Sequence, residues 1–384
     1  MNEQWGDFAK GIKNLYRKDF VPLHEPTFDE TEIDYVTDCV KSGWVSSVGK
    51  YVDRFEQELA EFTGVKRAVA VVNGTAALQI ALKIAGVQAG DEVFMPSLTF
   101  VATANAASYL QAIPHFVDVS EETLGLDPMK LEEHIKEIGE MKNGQLMNKQ
   151  TGRVIRAVVL MHTFGHPVDL DPLIGVCERY NLVLVEDAAE SLGSYYKGKH
   201  TGGFGRVSAL SFNGNKIMTT GGGGAILTND DNLADYAKHI TTTAKVPHRW
   251  AYEHDEVGYN YRMPNINAAL GCAQLQKLPV FIEQKRQLAE VYEKLVSDLD
   301  GVSLFREPAN TKGNYWLQTL VLEQQHNRDI VLEFLNENGV LSRPIWTPMH
   351  ELELFKNMPT ADLTITKRLK NTLINIPSTP LKVK

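Results

Sequence analysis

The chain is poor in cysteine. Cys39, Cys177 and Cys272 are the only three in 384 residues, and no two share CxxC spacing. So wide a spread excludes a disulfide framework and a cysteine zinc site, and it fits a reducing, cytoplasmic setting. No run of about 18 uninterrupted apolar residues occurs, and the N-terminus mixes charge with aromatics where an export signal has an apolar core. Neither a membrane span nor secretion is expected. Basic runs are missing too. With 39 Lys and Arg against 48 Asp and Glu the formal charge is -9, which opposes a polyanion and leaves nucleic-acid binding without its basic stripe. Any phosphate must be met locally. Internal repeats and low-complexity tracts are also lacking. What remains is globular in texture, 43% hydrophobic and 23% charged, and long enough for two domains around a sizeable core.

Residues 1–28 carry mixed charge, Pro22, Pro26 and weak periodicity, which predicts an N-terminal arm lying on the body. Asp29 with Glu32 has the form of a capping box, opening a helix whose apolar stripe of Ile33, Val36 and Val40 stops at Gly43. A second helix follows in 50–63. Strand-like runs at 67–72, 92–95, 113–119, 154–161 and 182–186 then alternate with helix-like stretches at 75–85, 101–110, 128–138 and 169–180. That alternation implies parallel strands with crossover helices on both faces. Asp127 before Pro128 marks a helix start. Short strands are expected at 207–212 and 224–228, and the polar segment 140–152 reads as an exposed excursion. Beyond about 255 the texture changes to a long helical pattern from Ala268 to Leu299, strands at 302–306 and 315–322, and a helix at 328–337. The expectation is an α/β chain: an arm over 1–28, a large domain over 29–255 with a mostly parallel central sheet flanked by helices, and a smaller α+β domain over 256–384.

Three strings carry chemistry. In NLVLVEDAAES an apolar strand, Leu182 to Val185, delivers Glu186 and Asp187 at its carboxyl end, where open parallel sheets place their ligand crevice. A carboxylate there suits a metal ligand, a base, the partner of a cationic ring nitrogen, or simply a capped helix start. In VSALSFNGNKIMTTGGGGAILTN a strand bearing Ser211 runs into a loop with Lys216, and Gly221 to Gly224 let the backbone approach a bulky ligand. A lone lysine is ordinarily a solvated surface residue; Lys216 lies instead between a strand and a glycine run. In VVNGTAALQIALKIAG a strand meets Asn73, Gly74 and Thr75 and then an amphipathic helix, whose free amides bind phosphate or are merely capped by the threonine. Together these match the needs of pyridoxal phosphate: a phosphate cradle, a lysine that holds the cofactor covalently, and an acid opposite the ring nitrogen. His162 and His166 in HTFGHP have no acidic or cysteine partner nearby in sequence, which argues against a metal. GGFGRVS at 202–208 lacks the third glycine of the dinucleotide fingerprint and precedes a strand, which argues against a nicotinamide dehydrogenase.

The ordered set GWVSSVGKYVDRFE, NGTAAL, PSLTFVATANA, VEDAAES, SFNGNK followed by GGGG, and GYNYRM resembles the DegT/DnrJ/EryC1/StrS sugar aminotransferases, from about Phe20 to the C-terminus. The resemblance implies pyridoxal-phosphate fold type I, the aspartate-aminotransferase-like fold. It implies that Lys216 carries the cofactor and moves a proton, that Asp187 faces the pyridine nitrogen, and that Gly74, Thr75 and Ser211 meet the phosphate while Phe100 stacks on the ring. Glu190 stands where the family commonly has Gln or His donating to the cofactor's phenolic oxygen, so it must be protonated or turned differently. Gly222 replaces an acidic residue often found there. Asn260 in GYNYRM matches a residue supplied across a subunit interface, which implies a homodimer with shared sites. L-glutamate is the implied donor and a nucleotide-linked keto sugar the acceptor, with Ser46, Ser47, Lys245, His248 and Arg249 as candidates to meet the sugar nucleotide. FVPLHEP, SGWVSSVGKYVDRFE and SFNGNKIMTTGGGG resemble the branch that aminates carbon 4 of UDP-4-keto-6-deoxy-N-acetylglucosamine toward bacillosamine or legionaminic acid. A GDP-linked sugar of the perosamine type, or a thymidine-linked one, is the alternative. Lys216 speaks against the family's 3-dehydratases, where histidine replaces that lysine, and with Asp187 and the cradle it speaks against a non-catalytic regulator.

Overall fold

The computed structural model describes residues 3–323 and 327–381. Residues 1–2 of the expected arm and 382–384 of the expected C-terminal domain lie outside them. The N-terminal segment is not irregular throughout. Its first half is helix α1 (Glu3–Tyr16), which buries Trp5, Phe8, Ala9 and Ile12 at the spacing of one helical face. Charged residues between these positions mask the stripe in a reading of composition. Asp29 then caps α2 (Glu30–Ser42): its carboxylate accepts from the Thr31 amide, and Glu32 reaches back to the Asp29 amide, each at 2.8 Å. Gly43 closes the helix at φ 77°. The stripe of α2 turns away from the core, leaving Ile33 55% and Val40 61% exposed. Glu32 is buried instead and is bonded by Gln274 and Lys277, so a polar network sets the rotation of this helix.

After α3 (Lys50–Thr63) come β1 (Arg67–Val71), α4 (Gly74–Ile84), β2 (Glu92–Pro96), α5 (Val101–Tyr109), β3 (Ile113–Val117) and α6 (Pro128–Ile138). The polar segment expected as an excursion is a hairpin, β4 (Gly139–Lys142) and β5 (Gln145–Asn148), and β5 pairs with the next strand, β6 (Val154–Met161). Its turn is Asn143-Gly144 at φ 51° and 75°, the left-handed pair that a two-residue hairpin requires. The chain continues through α7 (Leu170–Arg179), β7 (Val183–Asp187), the two-residue strands β8 (Tyr195–Tyr196) and β9 (Lys199–His200), β10 (Val207–Ser211), β11 (Gly224–Thr228) and α8 (Asp231–Thr241). The main sheet runs β1-β11-β10-β7-β6-β2-β3. From β10 to β3 neighbours are parallel, but β11 is antiparallel to both β1 and β10, so the sheet is mixed. The link from β10 to β11 holds the lysine loop and no crossover helix, which obliges the chain to return antiparallel. Since β1 and β10 then share a direction, the carboxyl ends of β1, β7 and β10 meet at one edge.

Helix α9 (Asn265–Val296) is a single 32-residue element that serves two cores. Cys272, Leu275 and Leu278 pack with Phe55 and Leu59 of α3, while Leu288, Ala289, Tyr292 and Val296 pack with Trp5, Phe8 and Ile12 of α1. Beyond it, β12 (Val302–Leu304), β14 (Gln318–Leu322), β15 (Arg343–Pro344) and β16 (Leu373–Ile376) form a second, antiparallel sheet in the order β12-β14-β16-β15. Between them β13 (Thr311–Lys312) folds back to pair with β8. Among the described residues no helix is long and apolar enough to cross a membrane.

Candidate active site

Asp187 is the last residue of β7 and pairs with Ala209 of β10. Successive side chains of a strand point to opposite faces, which separates Glu186 from Asp187. Glu186 accepts the amides of Gly202, Phe204 and Gly205 at 2.7, 2.7 and 2.6 Å and lies 3.0 Å from His162 Nε2. Burial alone raises its pKa, yet His162 and these amides outweigh it and hold the carboxyl below its ordinary value. His162 therefore has the acidic partner that its sequence neighbourhood does not display, and the GGFGRVS amides are spent on Glu186. His166 is buried between Phe305 and Tyr315. Asp187 accepts from the Thr103 hydroxyl at 2.7 Å and from the Ala189 amide at 3.2 Å. Burial pushes its carboxyl up despite those bonds and Lys216 nearby, so Asp187 is a buried acid that a cation would stabilise.

β10 ends at Ser211 and leads into the loop that carries Lys216. The lysine Nζ lies 3.2 Å from Glu190 Oε1 and 4.0 Å from the centre of the Trp316 ring, whose Nε1 donates to the Asn215 carbonyl at 2.7 Å. Glu190 Oε2 accepts the Phe164 amide at 2.9 Å. Burial raises Glu190 to about 7, with Lys216 and the Phe164 amide opposing and Asp187 adding. A carboxyl raised in this way takes up a proton more readily than an ordinary one, and an O–H at that position would be a donor. The phosphate end is built by glycine. Asn73 caps α4 by accepting the Ala76 amide at 2.8 Å, so Thr75 is not the cap, and the first-turn amides of Gly74 and Thr75 have no acceptor within the helix. A Cβ on Gly74 would stand 2.7 Å from Ser211 Cβ, and one on Gly224 would stand 2.5 Å from the Asn73 carbonyl carbon. Only glycine lets the helix start lie this close against the strand ends. Between acid, amine and helix start is a cavity of about 220 Å³.

Amides and a hydroxyl for an anion, an amine, and a buried acid that wants a cation are the donor set of pyridoxal phosphate. The family model of the DegT/DnrJ/EryC1/StrS aminotransferases matches residues 26–382. The chain belongs to that family. EpsN of Bacillus subtilis is 38% identical to it, over 87% of this chain and 83% of that one. The GDP-perosamine synthase of Vibrio cholerae is 37% identical, over 94% of each. A DegT DnrJ EryC1 StrS aminotransferase from Brucella abortus shares its structure at a TM-score of 0.84 and 28% identity, over 92% of both chains. The protein is thus a sugar aminotransferase of fold type I, and it uses pyridoxal phosphate.

In this aminotransferase Gly74, Thr75, Phe100, Asp187, Glu190, Ser211 and Lys216 all line the one cavity. Asn260 does not. It is exposed and bridges Thr242. Ser46, Ser47, Lys245, His248 and Arg249 are also away from that lining. The Ser46 carbonyl accepts the Asn265 amide at 2.7 Å, Lys245 lies over Tyr252, His248 accepts the amides of Trp250 and Ala251, and Arg249 lies over Trp250. Trp316, Trp346 and Thr103 were not among the expected site residues. Thr103 sits inside PSLTFVATANA, one turn from Phe100, where a polar position on a helix start could have signalled it. The two tryptophans come from the C-terminal region, and nothing local to NYWLQ or PIWTP announces that they line the cavity.

The state of Glu190 is testable without substrate. Its folded pKa exceeds the unfolded one, so its protonated form favours folding, fully below about pH 4.5 and less as pH rises to about 7. Cofactor-free Glu190→Gln should exceed the wild type by roughly 2 kcal/mol in urea unfolding at pH 8, after the weaker bond to Lys216 is allowed for, with little gain at pH 5. An equal difference at both pH values would show that Glu190 does not titrate in this range.

Proposed function

We propose that this aminotransferase moves an amino group from L-glutamate to carbon 4 of a GDP-linked 4-keto-6-deoxy sugar, giving a perosamine-type product in the cytoplasm. The observation that carries the nucleotide is the end-to-end similarity to a GDP-perosamine synthase, 37% over 94% of both chains. The UDP-4-keto-6-deoxy-N-acetylglucosamine reading drawn from the motifs takes second place to this end-to-end similarity, which GDP-perosamine synthases of two further organisms share.

When bound, pyridoxal phosphate supplies the electron sink that accepts the pair left on the substrate carbon after its proton departs. The amides of Gly74 and Thr75 and the hydroxyl of Ser211 hold the phosphate. Asp187, oriented by Thr103, would keep the ring nitrogen protonated and would itself be relieved by that charge. Phe100 would pack against the ring, and Glu190, when protonated, would be a donor to the phenolic oxygen. Lys216 holds the cofactor at rest. Its free amine would serve as the acid and base that moves a proton at the substrate carbon, with glutamate in one half-reaction and with the keto sugar in the other.

The reading includes a homodimer. Ile33 and Val40 on α2 and the following Trp44, Val45 and Val48 form an exposed apolar stretch, between 42% and 61% accessible, which a second copy would cover. Asn260, Ser46, Ser47, Lys245, His248 and Arg249, exposed or half-buried in one chain, would then serve the neighbour's cavity. Offered glutamate with GDP-, UDP- and thymidine-linked 4-keto-6-deoxy sugars, the enzyme should turn over the GDP sugar at least about tenfold faster in kcat/KM, a discrimination of ~1.4 kcal/mol. Fastest amination of the UDP-N-acetyl sugar would overturn the nucleotide while leaving the reaction class intact.

A further inference from the structure

Lys216 borders a second cavity, of about 10 Å³, and is the residue common to both linings. That volume is room for one water. His24 stands on the same cavity. The residue is half-buried as a whole, yet both its ring nitrogens are buried and neither has a hydrogen-bond partner among the described residues. An imidazole carries at least one acceptor or donor on each nitrogen, and leaving both unmet in an interior is costly.

The cavity is held open from both sides. The segment bearing His24 is pinned by Val21 to the backbone of Gly339 and Leu341 at 2.8 and 3.0 Å, by Leu23 to Ser378 at 2.7 Å, and by Glu25 to the Thr379 hydroxyl at 2.9 Å. Gln274 joins the two walls, donating to the Thr27 carbonyl at 2.9 Å and accepting the Thr219 amide from the lysine loop at 3.4 Å. Burial first, then Lys285 and Lys216, hold His24 well below the ordinary imidazole range, so its ring is neutral and one nitrogen is an acceptor. Lys285 is occupied by the carbonyls of Trp316 and Ser378, and Glu25 by Lys18 at 2.5 Å. On its other side Lys216 faces Glu190 and, at longer range, Asp187.

We propose that His24 is a positioning residue for Lys216: a single water in the small cavity accepts an N–H of the lysine amine and donates to the His24 ring. The proposal rests on the reading of Lys216 as the cofactor-bearing amine. During each half-reaction that amine is free, and among the described residues its hydrogen-bond partner is Glu190. The water and His24 offer the amine a further acceptor that carries no charge and hold it within reach of the substrate carbon.

Two measurements test this. A crystal structure of the protein loaded with pyridoxamine phosphate, in which Lys216 is free, should show one ordered water within hydrogen-bond distance of both Lys216 Nζ and a His24 nitrogen. A cavity without water, or a water that misses Nζ, overturns the proposal. In the cofactor-free protein, the pH midpoint for acetic anhydride labelling of Lys216 should fall by about one unit in His24→Leu, because the ammonium form loses an acceptor. His24→Gln, whose amide keeps an acceptor, should stay close to the wild type. With glutamate, His24→Leu should lower kcat about tenfold and leave KM unchanged. An unmoved midpoint in His24→Leu, or a Gln variant as shifted as the Leu variant, overturns the proposal, and if His24→Leu does not fold the crystal structure decides. Borohydride trapping of pyridoxal phosphate on wild-type Lys216 separates the two claims: if trapping succeeds and neither water nor midpoint behaves as stated, only the role of His24 falls.

Discussion

Lys216→Ala loses transamination and the visible absorption of bound cofactor together, with turnover falling on the order of 10⁴-fold or more. Two roles vanish with one amine, the covalent hold on the cofactor and the movement of the proton, and no other amine of the described residues lines the cavity. Folding survives. The substitution removes one hydrogen bond to Glu190 and the cation from one face of the Trp316 ring, together about 1–2 kcal/mol. Lys216→Arg separates charge from chemistry: it keeps a cation beside Glu190 and Trp316, yet it should be as inactive as the alanine variant. Absorbance spectra and amino-sugar formation check both, and a variant that keeps its visible band would remove Lys216 from the centre of the account.

Asp187→Asn lowers turnover about 10³-fold while the cofactor-free protein keeps or gains stability. The opposite signs follow from one fact, that burial pushes this carboxyl up when no cation faces it. An amide of the same size retains an acceptor for Thr103 and removes a charge that folding disfavours, but it cannot keep a ring nitrogen protonated. The linkage sign is that of a raised acid: the wild type loses stability as pH rises through the folded pKa of Asp187, and the Asn variant does not. Thermal melts at neutral pH, with and without cofactor, read the two halves separately. A variant with near-normal turnover would mean that the ring nitrogen has another partner.

The site was legible where chemistry sits on local punctuation. Asp187 ends an apolar strand, Lys216 stands between a strand and a glycine run, and Gly74 opens a helix after a strand, so each could be placed by pattern alone. Topology then brings the three together, because β1, β7 and β10 finish at one edge. What pattern could not supply depends on contacts distant in sequence. Trp316 and Trp346 reach the cavity only because the C-terminal region folds back; His162 finds Glu186 across 24 residues; and α2 turns its apolar face outward because Gln274 and Lys277 claim Glu32. The Asn143-Gly144 hairpin was readable, but the lysines, asparagines and glutamines around it resemble a loop. Glu190 is the instructive intermediate case. Its position showed that it must be protonated or turned differently to act as a donor, and burial raises its carboxyl against the opposing pull of Lys216 and the Phe164 amide.

The most direct measurement is chemical. Wild-type protein soaked with pyridoxal phosphate, reduced with borohydride, digested and mapped by mass should carry the pyridoxyl group on the peptide that contains Lys216. A label on another lysine, such as the buried Lys285, or no label at all, would contradict the account.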